Sequence, residues 1–142
     1  MKLTCDFTFD AAHRILGHSG KCAYLHGHAY RLEVAVSAAE LDALGMVIDF
    51  DDLRALVKKA VLDRWDHATL LWKEDPLGPA IISAQADAPE KVVALDGQPT
   101  AEVLTRLAFA AIREALPAGI TLERVAVWES PGCGSALSRG ET

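Results

Sequence analysis

Two histidines separated by one glycine, His26 and His28, are the residues of this sequence best suited to metal chemistry. In an extended strand successive side chains alternate between the two faces, so both imidazoles would point to the same side. Neutral imidazole is a common ligand of zinc, and two on one face make two-thirds of a three-ligand site. Histidines on a half-buried strand also have a purely structural interpretation. The deciding question is therefore whether a third ligand is available.

The first part of the chain offers a third imidazole. Residues 3–9 alternate between apolar and polar side chains, which predicts a half-buried strand. Extending that alternation places His13 on the apolar side of the strand. Residues 30–36 alternate in the same way, and their apolar positions share the parity of His26 and His28. A pair of neighbouring strands would therefore bring the three imidazoles together.

A thiol precedes the histidine pair by four residues, at Cys22, with Lys21 beside it. A thiolate serves as a general base where nearby positive charge lowers its pKa, and a metal or a lysine supplies such charge. Taken alone, Cys22 is better explained as a small buried hydrophobic residue. Cys5 and Cys133 have no such neighbours, and three cysteines without regular spacing do not indicate a disulfide framework. Cysteine usage thus predicts a reducing, cytoplasmic compartment.

Composition limits the remaining possibilities. The chain has 142 residues, 51% hydrophobic and 24% charged, which is typical of one globular domain with its own core. Its net charge of −6 argues against non-specific binding to nucleic acid. No apolar run approaches the ~18 residues of a membrane-spanning helix, and the N-terminus lacks the pattern of a signal peptide. We therefore expect neither a nucleic-acid partner nor a membrane partner.

Two amphipathic helices are predicted to position the candidate residues. The first begins near Asp49, with a stripe of apolar residues at helical spacing, and ends near Arg64. The second begins at Thr100, a natural N-cap, and ends before Pro117. The segment between them, residues 73–99, is rich in proline and glycine and is expected to be a long loop insert.

Inside that insert we expect only a short helical turn at 79–85 and a short strand at 91–95. Alternating residues at 120–129 and a short tail at 136–140 predict the last two strands. The order is strand, strand, helix, helix, strand, strand. It predicts an α+β domain over 1–142, in which a four-stranded antiparallel sheet carries two helices on one face.

Several short motifs follow one another along nearly the whole chain. They are Phe7–Arg14, Lys21–His28, Ile48–Phe50, Asp66–His67, Pro99–Glu102 and Glu129. This ordered set resembles the 6-pyruvoyltetrahydropterin synthase family, and within it the bacterial branch of 6-carboxytetrahydropterin synthases. The resemblance implies a tunnelling fold, assembled into a barrel-shaped homo-oligomer that is hexameric in the family, with active sites between subunits.

The resemblance also implies roles for individual residues. His13, His26 and His28 would form a zinc site, and Cys22 would be the catalytic base. Asp66 and His67 would form a proton-relay pair. On sequence grounds alone that pair has another interpretation, as the C-terminal end of the first helix, where the helix dipole favours histidine.

Substrate contacts are implied as well. Glu129 would anchor the pterin ring, because a carboxylate accepts two N–H bonds from a guanidine-like edge. A surface acid at a strand end would be ordinary, but the parity of Glu129 points it to the apolar side, where an unpaired carboxylate is costly. Thr100 and Glu102 are first of all helix-start residues, and pterin contact is a secondary role. The candidate cations for the triphosphate are Arg14, Lys21 and Arg139.

The implied reaction converts 7,8-dihydroneopterin triphosphate to 6-carboxy-5,6,7,8-tetrahydropterin, acetaldehyde and triphosphate, a step of queuosine and other 7-deazapurine biosynthesis. The implied cofactor is Zn²⁺. One alternative is a 6-pyruvoyltetrahydropterin synthase, which eliminates triphosphate without cleaving a carbon–carbon bond. The other is a non-catalytic oligomer that binds pterin or metal.

Overall fold

One six-stranded sheet runs through the computed structural model, which describes residues 1–141. Its strands are β1 (Lys2–His13), β2 (His26–Ala38), β3 (Ala68–Trp72), β4 (Val92–Leu95), β5 (Ile120–Ser130) and β6 (Cys133–Ser138). In space the order is β4-β3-β1-β2-β5-β6. The pairs β1–β2, β2–β5 and β5–β6 are antiparallel, whereas β3 lies parallel to both β1 and β4.

This topology confirms the α+β class and corrects the predicted sheet. A four-stranded antiparallel sheet is present, but β3 and β4 extend it beyond β1 as parallel strands. The sequence of β3, Ala68–Trp72, has no clear alternation, because its residues are buried or half-buried on both sides. A short apolar run of this kind cannot be told from the end of a helix by periodicity.

The helices are α1 (Phe50–Val57), α2 (Asp63–Trp65), α3 (Leu77–Ala84) and α4 (Ala101–Ala115). A π-helical stretch, Lys58–Leu62, joins α1 to α2. The side chain of Asp49 accepts a hydrogen bond from Asp51 N at the start of α1, and Thr100 accepts one from Val103 N at the start of α4. The predicted N-cap at Thr100 is therefore confirmed, and Asp49, predicted to lie near the start of α1, caps that helix as well. None of the helices in residues 1–141 is long and apolar enough to span a bilayer.

The core lies between one face of the sheet and the helices α1 and α4. Alternate residues of β1 and β2, such as Phe9 and Leu32, belong to the same buried cluster as Leu53 of α1 and Leu104 of α4. Because side chains alternate, the three histidines share the parity of these core residues. The metal-binding candidates consequently lie on the helix-covered face of the sheet, at the end of the β1–β2 pair.

The segment 73–99 is built into the fold, although a long loop was predicted there. The expected short helix and short strand are present, as α3 and β4. Asp75 is buried and forms an ion pair with Arg14, with Nε of Arg14 2.7 Å from Oδ2 of Asp75. The side-chain amide of Gln98 makes two 3.0 Å hydrogen bonds with the backbone of Leu16. The segment thereby holds the residues that directly follow β1, Arg14 and Leu16, in place.

Candidate active site

The three histidines come together as the alternation predicted. In the register of β1 and β2, His13 is opposite His26 and Ala11 is opposite His28. One ligand atom from each imidazole lies within 4.8 Å of the other two, an arrangement able to hold a metal ion. His13 is buried, and the other two are half-buried. The site is therefore anchored in the core and open on one side.

Hydrogen bonds orient two of these rings for ligation. Nδ1 of His13 donates to the carbonyl of Pro99 at 2.8 Å, and Nδ1 of His26 donates to the carbonyl of Tyr24 at 2.7 Å. In a neutral imidazole the other nitrogen then carries a lone pair, and the two Nε2 atoms are 3.2 Å apart. Two lone pairs at this distance repel unless a cation lies between or beside them. The donor set thus fits a transition metal, with carbonyls fixing the ring tautomers.

Burial favours the neutral, metal-binding form of two of the three rings. It lowers the pKa of His13 and of His28 below the usual value, because a charged imidazolium is poorly solvated there. Repulsion from the neighbouring histidines acts in the same direction, while the charge of Glu129, and for His13 the hydrogen bond to Pro99, oppose it. The net effect favours neutral imidazoles at neutral pH.

The glycine between the two histidines has a packing role. A Cβ atom at Gly27 would lie 3.1 Å from the carbonyl oxygen of Ala11, closer than ordinary contact. The absence of a side chain lets β1 and β2 approach at the position where their histidines must meet. Gly27 is therefore part of the site geometry, although it offers no ligand.

Glu129 lies at the edge of the histidine group. Its Oε1 is 4.0 Å from Nε2 of His13, and its side chain is 27% exposed. Beside it, Tyr30 packs edge-on against His13 and His28, with ring centroids 5.9 and 5.4 Å away. The Tyr30 hydroxyl is buried and has no hydrogen-bond partner among residues 1–141. Sequence reasoning assigned Tyr30 to the core only, although its parity with His28 indicated a place beside the site.

Cys22 lies in a short 3₁₀ turn, Lys21–Ala23, that precedes β2. Its carbonyl accepts a 2.8 Å hydrogen bond from Ile15 N, which ties the turn to the chain beyond β1. The thiol is free and half-buried. The group able to share a metal ion, within the described part of the chain, consists of histidines alone. Cys22 is thus not a fourth ligand in this arrangement, as the predicted role of base requires.

Asp66 and His67 follow the end of α2 and precede β3. Oδ1 of Asp66 is 3.0 Å from Nδ1 of His67 and accepts a 3.0 Å hydrogen bond from Asp10 N. His67 is largely exposed and lines a cavity with Asp10, Ala12 and Gly27, and with His28 of the histidine group. The side chains of Asp10 and Ala12 have the opposite parity to His13. The pair therefore lies at the end of β1, by a cavity that borders outward-facing residues of the sheet as well as one of the three imidazoles.

The remaining candidates are placed differently from one another. Thr100 follows Pro99, whose carbonyl binds His13, and it caps α4. Glu102 lines a cavity between α4 and β6. Arg139 lies beside Glu123, 3.6 Å away. Glu123 is six strand positions from Glu129, roughly 20 Å.

The cations proposed for the triphosphate are thus not gathered at the metal site. Arg139 belongs to the far end of β5 and β6, and the guanidinium of Arg14 is held by the buried carboxylate of Asp75. Lys21 is the candidate whose charge acts on the site. It helps to lower the pKa of His28, although burial and the charges of Glu129 and His26 have larger effects on that pKa. Within one chain, Lys21 is therefore the remaining candidate of the three.

The chain matches the protein family described as 6-pyruvoyl tetrahydropterin synthase over residues 2–139. It is 34% identical over 134 residues to the 6-carboxy-5,6,7,8-tetrahydropterin synthase of Haemophilus influenzae, covering 92% of this chain and 93% of that protein. It is 44% identical over 103 residues to the protein of the same name from Rickettsia bellii, covering 72% of each.

Solved structures are similar as well. A protein of Wolinella succinogenes superposes with a TM-score of 0.82 at 21% identity, covering 98% of both chains. The 6-pyruvoyl tetrahydropterin synthase of Caenorhabditis elegans superposes with a TM-score of 0.71 at 21% identity, covering 97% of this chain and 94% of that one. At these identities the likeness concerns the fold alone.

Proposed function

Because the chain belongs to the 6-pyruvoyl tetrahydropterin synthase family, we propose that it is a lyase of the 6-carboxy-5,6,7,8-tetrahydropterin synthase type. Its substrates are 7,8-dihydroneopterin triphosphate and one water molecule, and its products are the carboxylated tetrahydropterin, acetaldehyde and triphosphate. The product enters queuosine and 7-deazapurine biosynthesis. The observation that carries the proposal is the convergence of three imidazoles whose tautomers are set for ligation.

We assign the metal to zinc, held by His13, His26 and His28. Three neutral nitrogen donors are typical of catalytic zinc sites, which keep positions open for a substrate. When bound, zinc would polarise the hydroxyl groups of the substrate's side chain and ease removal of neighbouring protons. The open, half-exposed side of the histidine group supports access by such a ligand.

The chain's own residues then handle protons and orientation. Cys22, in the turn that directly precedes the strand of His26 and His28, serves as the base that removes a proton from the side chain of the substrate. Asp66 orients His67 through the contact between Oδ1 and Nδ1, so that Nε2 of His67 exchanges the second proton. Glu129 accepts N–H bonds from the pterin ring, and Thr100 and Glu102 add secondary contacts at the start of α4.

The position of the relay pair supports a shared site. The side chain of His67 is 74% exposed, and its cavity is open to outward-facing residues of β1 as well as to His28, so the pair is accessible to a second subunit. We therefore propose a homo-oligomer, hexameric as expected from the family, in which Asp66 and His67 serve the metal site of a neighbouring subunit. The same assembly offers a route for Arg139 to reach a neighbour's substrate. The free cysteines agree with a cytoplasmic location.

Incubation with 7,8-dihydroneopterin triphosphate, followed by mass analysis, tests this function. We expect 6-carboxytetrahydropterin with stoichiometric acetaldehyde from the wild type. Release of triphosphate without acetaldehyde would instead identify a 6-pyruvoyltetrahydropterin synthase.

Substitution of the proposed base gives the matching control. Cys22→Ala should lower kcat by roughly a hundredfold or more, because it removes the base. Cys133→Ala, at the exposed thiol of the first residue of β6, should leave turnover unchanged. No turnover in the wild type, or full turnover by Cys22→Ala, would contradict the proposal.

A further inference from the structure

The turn that carries the relay pair has an unfavourable backbone conformation. His67 has a φ of 56°, and it is the single non-glycine residue with positive φ among residues 1–141. L-residues rarely adopt this region, because Cβ comes close to the backbone carbonyl. A turn of this kind keeps its shape only where surrounding contacts hold it.

Contacts from β1 and from the short turn that precedes β4 hold the Asp66–His67 turn in place. From β1, Asp10 accepts a 2.7 Å hydrogen bond from His67 N and donates its own N–H to the carboxylate of Asp66. From the other side, Nζ of Lys91 donates a 3.0 Å hydrogen bond to the backbone carbonyl of Asp66. The carbonyl of Asp66 is the group whose orientation decides how the next residue enters its left-handed conformation.

Lys91 comes from the segment 73–99. It ends a short 3₁₀ turn, Pro89–Lys91, and directly precedes β4, which runs parallel to β3. Because β3 begins one residue after His67, this topology brings Lys91 across from the relay pair. Lys91 lines one cavity with Asp66 and another with His67. It is therefore in contact with the turn and borders both cavities that reach the relay pair.

We propose that Lys91 is a positioning residue that holds the Asp66–His67 turn in the geometry needed for proton transfer. The inference rests on the proposed function in one respect, since that function assigns the relay role to Asp66 and His67. It also gives the segment 73–99 a role in the site, because β4 and its preceding turn deliver an ammonium group to the backbone of the relay turn.

The charge of Lys91 gives the proposal a second, separate observable. Burial acts to raise the pKa of Asp66, but the N–H of Asp10, the contact with His67 and the charge of Lys91 together hold it below its usual value. The other charged groups facing this carboxylate across its cavity are Arg54, Lys58 and Asp63. Removal of Lys91 should therefore raise the pKa of Asp66.

Three variants of the full-length protein test the role. Lys91→Met removes the donor and the charge but keeps a long apolar stem, and Lys91→Arg restores both. Lys73→Met is the matched control, because Lys73 belongs to the same segment and pairs with the exposed Asp96 instead. Each variant is measured for kcat and KM, for metal content, for thermal unfolding, and for titration of the Asp66 carboxyl carbon by NMR.

For Lys91→Met we expect kcat to fall roughly tenfold, with KM within about twofold and with unchanged metal content and melting temperature. Lys91→Arg should recover most of kcat, and Lys73→Met should match the wild type. The Asp66 carboxyl should titrate at higher pH in Lys91→Met alone. Unchanged kcat in Lys91→Met, or a loss matched by a lower melting temperature and not rescued by arginine, would overturn the proposal.

The proposed function and this inference can fail separately. If the wild type gives no product, the function is wrong, but the NMR titration still reports whether Lys91 acts on Asp66. If the wild type is active and Asp66→Asn is inactive while Lys91→Met is unaffected, the function stands and the inference is overturned.

Discussion

At the scale of single residues, metal binding depends on three imidazoles whose free nitrogens face one another. His26 is half-buried, and its Nδ1 is bound to the carbonyl of Tyr24, so Nε2 carries the lone pair that a metal would bind. His18 differs in that it is exposed and accepts a hydrogen bond from Gly20 N through Nδ1. The two residues therefore make a matched pair for a test.

We expect His26→Ala to lose metal, because two remaining nitrogen donors bind zinc far more weakly than three. The wild type and His18→Ala should carry close to one transition-metal ion per chain. Elemental analysis of protein purified without added chelator measures this. Equal occupancy in His26→Ala and the wild type, or no metal in the wild type, would show that the histidine group is structural.

The carbonyl partners of the histidines show what residue-level reasoning misses. Pro99 and Tyr24 orient the rings through backbone oxygens, which every residue possesses. No side-chain type marks such a role in a sequence. The buried hydroxyl of Tyr30 was missed for a related reason, since an apolar alternation accounts for its aromatic ring and says nothing about its oxygen.

At the scale of elements, the segment 73–99 ties distant parts of the fold together. Asp75, at the start of the segment, is buried against Arg14, the residue after the candidate metal ligand His13. Its Oδ1 also accepts a 2.8 Å hydrogen bond from Leu77 N. A buried ion pair matters for stability mainly because removing one partner leaves the other as an unpaired charge in the protein interior, which costs free energy.

Asp75→Asn should lower the free energy of unfolding by about 2 kcal/mol at pH 7, because it leaves the Arg14 guanidinium without its counter-charge. The comparison variant is Asp96→Asn, at an exposed carboxylate, which should stay within ~0.5 kcal/mol of the wild type. Denaturant unfolding of the three proteins measures the differences. Equal destabilisation by both variants would contradict this role of Asp75.

The pH dependence of this pair has a definite sign. The hydrogen bond from Arg14 holds the pKa of Asp75 below its usual range. Its stabilising contribution is therefore complete above the unfolded value of about 3.9 and is lost as pH falls through the lower folded value. The difference between the wild type and Asp75→Asn should shrink when unfolding is measured near pH 3.

At the scale of the whole molecule, the histidine group is anchored in the core, whereas the proposed relay pair is exposed at the surface. The imidazoles share the face covered by α1 and α4, and the exposed His67 shares a cavity with outward-facing residues of β1 and with His28. A sheet of this kind has two edges, β4 and β6, that leave backbone groups available for pairing with other chains. Both features favour a site completed by assembly.

Mixed oligomers test that assembly. His26→Ala and His67→Ala should each be inactive alone, but co-expression should restore turnover at roughly a quarter of the sites, because some sites then combine an intact metal group with an intact relay pair. Co-expression of His26→Ala with His28→Ala is the control and should stay inactive. Failure of the first pair to recover any activity would place both groups in one subunit's site.

Sequence alone was sufficient for the features that depend on local periodicity. The period of two along the strands placed His13 on the face of His26 and His28, and the acidic residues from Asp49 and the N-cap at Thr100 marked the starts of α1 and α4. The ordered motifs indicated the family that the comparisons confirm. These features follow from the geometry of a single strand or helix, which neighbouring residues determine.

Only the tertiary structure decided how distant segments meet. It made β3 and β4 parallel strands of the sheet, engaged Arg14 with Asp75, and brought Lys91 to the backbone of Asp66. The last two contacts join residues 61 and 25 positions apart. Contacts between residues so far apart in sequence depend on the packing of the whole sheet. A lysine or an aspartate that forms such a contact has the same local sequence pattern as one that is exposed to solvent.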